Sequence, residues 1–334
     1  MTIRVVILVL VLLLVWGCAS REQRSRLAHR AAPASLGALD VPLGLDAFAS
    51  VPEDNPITSE KADVGRRLFS DPILSLDRTR SCASCHRPDQ AFADSARISP
   101  GVRGRHTARN APALVNRVYG SAFFWDGRAT SLERAVLQPI QNPDELALGL
   151  AALIPRLRAD ARYRALFRRA FPTEGITPTT VSRALASYLR TVRTADTPVD
   201  RYTAGDTTAL SPPARRGRTL FLGRGGCADC HSGPTFTDER FHNTGVAVGT
   251  RDTGRYAVTR DAADLGRFKT PTLRRIANTA PYMHDGSIPS LERVIEFYDG
   301  GGRASPNLDR DIRPLHLSAA EKADLLAFLH ALGG

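Results

Sequence analysis

The chain has 334 residues, a net charge of +11 and 43% hydrophobic residues. This length allows two domains of ordinary size, and the apolar content is that of a globular protein rather than a disordered one. The basic residues are almost all arginine, with lysine only at positions 61, 269 and 322, and no run of five or more basic residues occurs. The positive charge therefore does not indicate a nucleic-acid-binding surface.

The first residues have the pattern of an export signal. Arg4 precedes an apolar run, and small residues follow that run around Cys18. This order predicts a secretory signal over residues 1–18. Residues 15–18, V-W-G-C, resemble a bacterial lipobox, in which the cysteine is acylated and anchors the mature protein to a membrane. Because Trp16 is bulky for that place, cleavage by an ordinary peptidase and an uncleaved anchor remain alternatives.

Residues 19–50 come next and are rich in alanine, arginine, serine and proline. This composition predicts a flexible tether. Signal and tether together predict a periplasmic protein that is held to a membrane by a lipid on Cys18.

The first folded segment predicts a helix that leads into a cysteine motif. Thr58 or Ser59 provides an N-cap, and an apolar stripe on one face continues to Phe69. The pattern stops near Asp71, because Pro72 follows it. After a short loop the chain reads C-x-x-C-H at Cys82, Cys85 and His86.

The sequence C-x-x-C-H is the attachment motif of a c-type haem. Two thiols at this spacing can each form a thioether with one haem vinyl group, and the histidine that follows supplies an axial nitrogen to the iron. The motif occurs a second time, at Cys227, Cys230 and His231. A zinc site or a thiol–disulfide pair is the alternative, but zinc ribbons place their cysteine pairs much closer in sequence. We therefore expect two covalently bound haems c.

An internal repeat accompanies the two motifs. Residues 214–221, A-R-R-G-R-T-L-F, echo residues 62–69, A-D-V-G-R-R-L-F, and each segment precedes one motif. Apolar residues at helical spacing fill residues 146–195, and residues 194–208 predict a polar linker. We expect a mainly α protein with two cytochrome c-like helical haem domains, residues 51–205 and 206–334. Ser318 and Glu321 predict a capping box at the start of the last helix.

Several further motifs resemble those of one family. They are R-N-A-P at 109–112, F-W-D-G-R at 124–128, N-P-x-E at 142–145 and T-A-P-Y-M-H-D-G at 279–286. With the two C-x-x-C-H motifs, the sequence resembles the bacterial di-haem cytochrome c peroxidases and their relative MauG from about residue 53 to the end. The resemblance implies an oxidoreductase that acts on hydrogen peroxide.

The resemblance implies roles for two residues near the first haem. Glu145, in N-P-x-E, matches the family's distal acid, which takes a proton from peroxide and returns it to the leaving oxygen. Trp125 matches the tryptophan between the two haems, where it relays electrons. A surface position for Glu145 and ordinary core packing for Trp125 are the alternatives.

The resemblance also implies a calcium ion between the domains. Asn110 matches one ligand, together with the backbone carbonyls of Thr279 and Pro281, and such hard oxygen ligands suit Ca²⁺. A side-chain cap on a turn is the alternative for Asn110. His106 lies close to the loop position of a distal histidine ligand in some family members, but offset from it, which favours a loop histidine. Ala135 stands where the family often has glutamine, so the family's distal hydrogen bonds are not copied in full.

The sixth ligand of the second haem separates the enzyme types. The family's axial residue lies on the helix after the P-Y-x-H motif, and counting from His284 gives Tyr298. Met283 is the alternative, since it is the only methionine besides Met1. A thioether raises the potential of a haem, whereas a phenolate stabilises its ferric state. The resemblance also implies that His284 donates a hydrogen bond to a haem propionate, with a structural turn as the alternative.

The favoured function is that of a peroxidase. The haem on His86 reduces H2O2, and the haem on His231 receives electrons from a small donor, a cytochrome c or a cupredoxin. A MauG-like enzyme that uses peroxide to oxidise a residue of a partner protein is one alternative. A non-enzymatic electron carrier is the other.

Overall fold

The computed structural model describes residues 41–49 and 51–333, together with the backbone of Ala34 and Ser35. The predicted signal, the lipobox cysteine Cys18 and most of the predicted tether lie outside the described residues, so these remain predictions. Within the described residues, no helix combines the length and the apolar character that a membrane crossing requires.

The described chain is mainly helical, as the sequence predicted. The helices are α1 (Ser59–Ser70), α2 (Leu132–Ala135), α3 (Gln138–Gln141), α4 (Leu150–Ala159), α5 (Ala161–Ala170), α6 (Pro178–Thr191), α7 (Pro198–Thr203), α8 (Pro212–Leu222), α9 (Tyr256–Thr259), α10 (Leu291–Asp299) and α11 (Ala319–Ala331). Strand structure is confined to short antiparallel pairs: β1 (Ala34–Ser35) with β2 (Phe48–Ala49), and β3 (Phe241–His242) with β4 (Phe268–Lys269).

Two predicted helix starts are confirmed. The Thr58 hydroxyl accepts a hydrogen bond from the amide of Lys61 at the start of α1. Ser318 and Glu321 form the reciprocal capping box of α11. Such caps pair amides that the first turn of a helix would otherwise leave without an acceptor.

Each half of the chain has its own apolar core. The first core is built mainly from α1, α4, α5 and α6, with Leu68, Leu153 and Leu185 all essentially inaccessible to solvent. The second is built from α7, α8, α10 and α11 around Phe221 and Phe328. The described residues therefore form two separate main apolar cores, one in each half of the chain.

The two halves repeat the same order of elements beyond the segment that the sequence analysis recognised. In each, a helix leads into a 3₁₀ turn at the cysteine motif, Cys82–Ser84 in the first half and Cys227–Asp229 in the second. Each half then forms an isolated antiparallel bridge, Phe123 with Ala129 and Tyr282 with Ile288. A helix capped by serine follows in both, and both of these helix starts read S-L-E-R, at 131–134 and 290–293. This S-L-E-R match is the sequence signal that extends the repeat to these helices.

Glycine allows the same close helix contact in both halves. A Cβ on Gly65 of α1 would overlap the backbone carbonyl of Ala184 in α6, and one on Gly217 of α8 would overlap that of Asp324 in α11. We expect Gly65→Ala and Gly217→Ala each to lower the free energy of unfolding by about 1–3 kcal/mol, because backbone must move to make room. The measurement is the denaturant midpoint of the holoprotein. Gly149→Ala is the control, since nothing lies within 4 Å of its added Cβ; equal shifts for all three variants would contradict this account.

The prediction of a linker over residues 194–208 is wrong for the middle of that segment. Residues 198–203 form α7, and Val199 packs into the second core. The carboxylate of Asp200 accepts a hydrogen bond from the buried Arg274 guanidinium at 2.8 Å. The second core therefore begins before the predicted boundary between residues 205 and 206, because polar residues here cap a helix and form a buried ion pair.

The end of the predicted tether also differs from the prediction. Within residues 41–49, the carbonyl of Gly44 accepts a hydrogen bond from Arg274 at 2.9 Å, and the carbonyl of Asp46 accepts one from the Tyr119 hydroxyl at 2.7 Å. These donors belong to the two different halves of the chain. The segment is thus fastened to the folded body, and composition alone could not show those partners.

Candidate haem sites and the contact between them

The first cysteine motif opens into a cavity that also contains the predicted acid. Cys82, Cys85, His86, Glu145 and Trp125 all line this cavity, which we call the first cavity. Its remaining wall is largely apolar and comes from α1, α2, α6 and the loop between residues 107 and 124. None of the four motif cysteines forms a disulfide. The sulfur atoms and the histidine thus lie together on one wall of a cleft, as a covalent haem requires.

The two motif histidines are held in the same way. Nδ1 of His86 lies 3.0 Å from the carbonyl oxygen of Phe92, and Nδ1 of His231 lies 3.0 Å from that of Phe236. Since a carbonyl only accepts, Nδ1 carries the proton and Nε2 keeps its lone pair for a metal. Burial lowers the pKa of both imidazoles. Both rings are therefore neutral, oriented ligands.

Glu145 lies just beyond α3, in a position suited to acid–base chemistry. Its Oε1 accepts a hydrogen bond from the side-chain amide of Asn142 at 2.6 Å, and its backbone carbonyl accepts one from the amide of Val102 at 2.9 Å. Burial raises the pKa of the carboxyl group above its usual value. Glu145 thus lines the cavity, is half-buried, and is held by hydrogen bonds at both its backbone and its side chain.

The second motif opens into a second cavity, which contains both candidate sixth ligands. Cys227, Cys230, His231, Tyr298 and Met283 all line it. Burial raises the pKa of Tyr298 to about 12, and the neighbouring cysteine sulfurs add to the shift. The phenol is therefore close to the attachment site and protonated unless a metal replaces its proton.

Trp125 lines both cavities. Its indole Nε1 donates a hydrogen bond to the carbonyl of Asn110 at 2.8 Å, and its own carbonyl accepts one from the amide of Lys269 at 2.8 Å. Its ring centroid is 6.5 Å from that of His284. The tryptophan is thus fixed between the two sites by one residue from each half of the chain.

A cluster behind Trp125 was not found by sequence reasoning. The His284 ring stacks on the Phe268 ring with 3.6 Å between their centroids. The Arg109 guanidinium also lies over the Phe268 ring, 5.4 Å from its centroid. Arg109 also forms ion pairs with Asp126 and, across the halves, Asp252. Burial lowers the pKa of His284 to about 4, so this ring is neutral. Only long-range contacts reveal this cluster, because its members are far apart in sequence.

The three residues predicted as calcium ligands all lie around the second cavity. Asn110, Thr279 and Pro281 all line the second cavity, and the amide of Asn110 donates to the carbonyl of His284 at 2.8 Å. The side-chain amide nitrogen of Asn110 donates to the carbonyl of Ala96 at 3.1 Å. The side chain thus also has the turn-stabilising contact that was the alternative interpretation.

The structure also places His106 and Ala135, the two positions at which the sequence departs from the family pattern. His106 is exposed, pairs through its backbone with Pro100 and is not among the residues that line the first cavity. This placement agrees with a loop histidine. Ala135 is buried and lines the first cavity. The methyl group of Ala135 cannot form a hydrogen bond. The polar side chains that N-P-x-E contributes to the first cavity are those of Glu145 and its partner Asn142.

The fold and these two sites define a di-haem c-type cytochrome. The family model for di-haem cytochrome c peroxidases matches residues 59–208. MauG, the methylamine utilization protein of Methylorubrum extorquens, is 41% identical over 283 residues, covering 84% of this chain and 80% of that protein. The cytochrome c551 peroxidase of Nitrosomonas europaea is 32% identical, covering 90% of this chain and 89% of that protein.

The solved structures agree with this comparison. The crystal structure of a MauG-like protein associated with microbial copper homeostasis is similar with a TM-score of 0.83 and 37% identity, over 88% of this chain and 95% of that one. The chain belongs to the di-haem cytochrome c peroxidase family, to which the MauG proteins also belong. It is an oxidoreductase of the kind that acts on hydrogen peroxide.

The residues present fit two haems c. Each cavity has two free thiols, a neutral histidine whose Nε2 is available, and a mostly apolar lining for a macrocycle. Burial raises the pKa of the Cys82 thiol to about 12 and that of Cys227 to about 11. A raised pKa disfavours the thiolate form that a zinc site requires.

Proposed function

We propose that the protein reduces H2O2 at the haem held by Cys82, Cys85 and His86. Electrons enter at the haem held by Cys227, Cys230 and His231 and cross Trp125. The observation that carries the proposal is the division of residues between the cavities: Glu145 lines only the first, and Trp125 lines both. When bound, the haem irons supply the redox chemistry, and the chain supplies proton transfer, orientation and the path between them.

Glu145 supplies the proton movement. The reaction H2O2 + 2e⁻ + 2H⁺ → 2H2O breaks the O–O bond and needs a proton at the leaving oxygen. In its carboxylate form Glu145 would take a proton from one oxygen of H2O2 and return it to the other oxygen, which leaves as water. The amide of Asn142 holds the carboxylate in place for both steps.

The second cavity supports entry of electrons from a small protein donor, a cytochrome c or a cupredoxin. Each such donor gives one electron, so two deliveries complete one turnover. We place the protein in the periplasm, anchored through a lipid on Cys18, where exported c-type cytochromes and their donors meet. The electron-carrier alternative is disfavoured, because electron transfer alone does not require a carboxyl group such as that of Glu145 in the first cavity.

A MauG-like reaction is the second candidate, and Tyr298 is the observation that favours it. Tyr298 lines the second cavity together with the attachment cysteines. Coordination by a phenolate would make that haem hard to reduce, which suits the withdrawal of electrons from a partner protein. In this reaction H2O2 is reduced as before, and a side chain of the partner supplies both electrons.

Trp125→Phe tests the path between the sites. We expect the variant to react with peroxide at the wild-type rate but to draw electrons from a reduced donor several-fold more slowly, because phenylalanine is a poorer relay than indole. The measurement is double-mixing stopped-flow absorbance, with Tyr119→Phe, outside both cavities, as the matched aromatic control. Donor oxidation at the wild-type rate in Trp125→Phe would refute the relay.

Calcium is a further part of the proposal. A Ca²⁺ ion bound by the Asn110 side chain and by the carbonyls of Thr279 and Pro281 would link the halves beside Trp125. We expect chelation to slow turnover and to change the redox titration of both haems, and added Ca²⁺ to restore both. Asn110→Ala should mimic chelation and no longer respond to Ca²⁺. Full activity and an unaltered redox titration after chelation would exclude the site.

A further inference from the structure

A third cavity, of about 300 Å³, lies outside both haem sites and shares no lining residue with them. One wall is the segment just after the first haem motif, with Ala91 and Phe92, and another is the end of α6 with Arg193. The last is Arg275 from the second half of the chain. We call it the interdomain cavity. Its volume is many times the ~30 Å³ that one water occupies in the liquid.

Two partly buried arginines that line the interdomain cavity have buried nitrogen atoms without a hydrogen-bond partner among the described residues. Nε and one terminal nitrogen of Arg193, and Nε of Arg275, are inaccessible to solvent and make no hydrogen bond. Arginines near them in sequence are paired, Arg190 with Glu133 and Arg274 with Asp200. No such pair forms for Arg193 or Arg275 within the described residues, and no described acidic residue lines the cavity. Buried guanidinium donors are almost always paired, because losing water without a replacement costs free energy. Two such groups at one cavity therefore indicate an absent acceptor.

We propose that the interdomain cavity binds a small oxyanion, a phosphate or a carboxylate, between Arg193 and Arg275. The planar guanidinium group presents its N–H donors in a fork that matches two oxygens of such an anion. One arginine comes from each half of the chain, so the anion joins the two halves. Phe92, Val115 and Tyr188 contribute apolar surface to the walls, and a less polar environment strengthens the attraction between opposite charges.

The location connects this site to the first haem. The carbonyl of Phe92 accepts the hydrogen bond of His86 Nδ1, and the Phe92 side chain lines the interdomain cavity. Ala91 and Phe92 both have a left-handed backbone, with φ of 52° and 58°. This conformation is unfavourable for non-glycine residues and persists only where the surroundings fix it. An anion bound against this segment stabilises the support of the axial histidine.

Isothermal titration calorimetry of the di-haem protein tests the proposal, with inorganic phosphate and acetate as the two probes in a chloride buffer. We expect saturable binding of at least one probe, and the tighter of the two assigns the phosphate or the carboxylate source. Arg193→Gln and Arg275→Gln should each weaken that binding by about ten-fold or more, the usual effect of losing a charge-assisted hydrogen bond. Arg168→Gln, an exposed arginine on α5 with no ion pair, should bind as the wild type does.

Several results would overturn the proposal of an anion site. No saturable binding of either probe to the wild type overturns the proposal, as does equal weakening by Arg168→Gln and Arg193→Gln, which would indicate general charge attraction. If a glutamine variant fails to fold, Arg193→Lys and Arg275→Lys keep the charge and remove the fork. These should also weaken binding, and wild-type affinity in both would overturn the assignment. Haem content and the Soret spectrum of each variant verify that both haems remain attached.

Discussion

Glu145→Gln should lose about 100- to 10,000-fold in the rate of reaction with H2O2, the usual contribution of a positioned acid–base group. Glutamine keeps the size and the hydrogen bond from Asn142 but cannot accept and return a proton. Both haems should remain attached, because Glu145 contributes no bond to either. Stopped-flow absorbance after mixing with H2O2 measures the rate. Glu174→Gln, the same change on a partly exposed side chain outside both haem cavities, is the control.

The same carboxyl group sets the pH dependence of the wild type. Burial raises the pKa of Glu145, so the carboxylate is lost at a higher pH than for an ordinary glutamate. Because the first proton transfer needs the carboxylate, the rate should fall as pH decreases through that raised pKa. Glu145→Gln should lack this acidic limb. A variant with wild-type rate and an intact acidic limb would assign the acid–base role to another group.

Tyr298→Phe should remove the sixth ligand of the His231 haem and convert its ferric spectrum from low spin to high spin. The phenol of Tyr298 lies near Cys227 and Cys230, and coordination would offset the energy of removing its proton. The midpoint potential of this haem should rise, since an anionic oxygen ligand stabilises the ferric state. Electron paramagnetic resonance and a redox titration of the purified variant measure both changes.

Met283→Leu is the matched test of the rival ligand. Leucine keeps the volume and removes the sulfur, so the ferric spectrum should stay as in the wild type if Tyr298 is the ligand. A spectrum that changes in Met283→Leu and not in Tyr298→Phe would reverse the assignment. It would give the protein the high-potential His/Met haem of a classical peroxidase. A Tyr298 ligand, in contrast, suits either a MauG-like reaction or a peroxidase that needs no prior reduction.

Much of this arrangement was predictable because local sequence specifies it. The cysteine motifs place sulfur and imidazole at fixed spacing, whatever the rest of the chain does, and N-P-x-E brought Glu145 to the cavity as expected. Capping residues at Thr58 and Ser318 also act within one turn of a helix. Only part of the repeat was predicted, because few identical residues remain in two short pairs of segments, 62–69 with 214–221 and 131–134 with 290–293.

The contacts that fasten the two halves could not be predicted from the sequence. Arg117 pairs with Glu239, and Arg109 pairs with Asp252, over separations in sequence that no local pattern reveals. The segment 194–208 is polar and was predicted as a linker, yet its polar groups cap a helix and form a buried ion pair. Polarity indicates a linker only where the groups face water, and burial is a property of the tertiary structure.

Double mixing of the purified di-haem protein, first with H2O2 and then with a reduced cytochrome c or cupredoxin, tests the central claim most directly. The account predicts a rapid change in the absorbance of the haems after the first mixing. It then predicts oxidation of two one-electron donor molecules for each H2O2 consumed, at a rate that Trp125→Phe lowers. Haem spectra that do not respond to H2O2, with no peroxide-dependent oxidation of the donor, would contradict the account and leave an electron carrier.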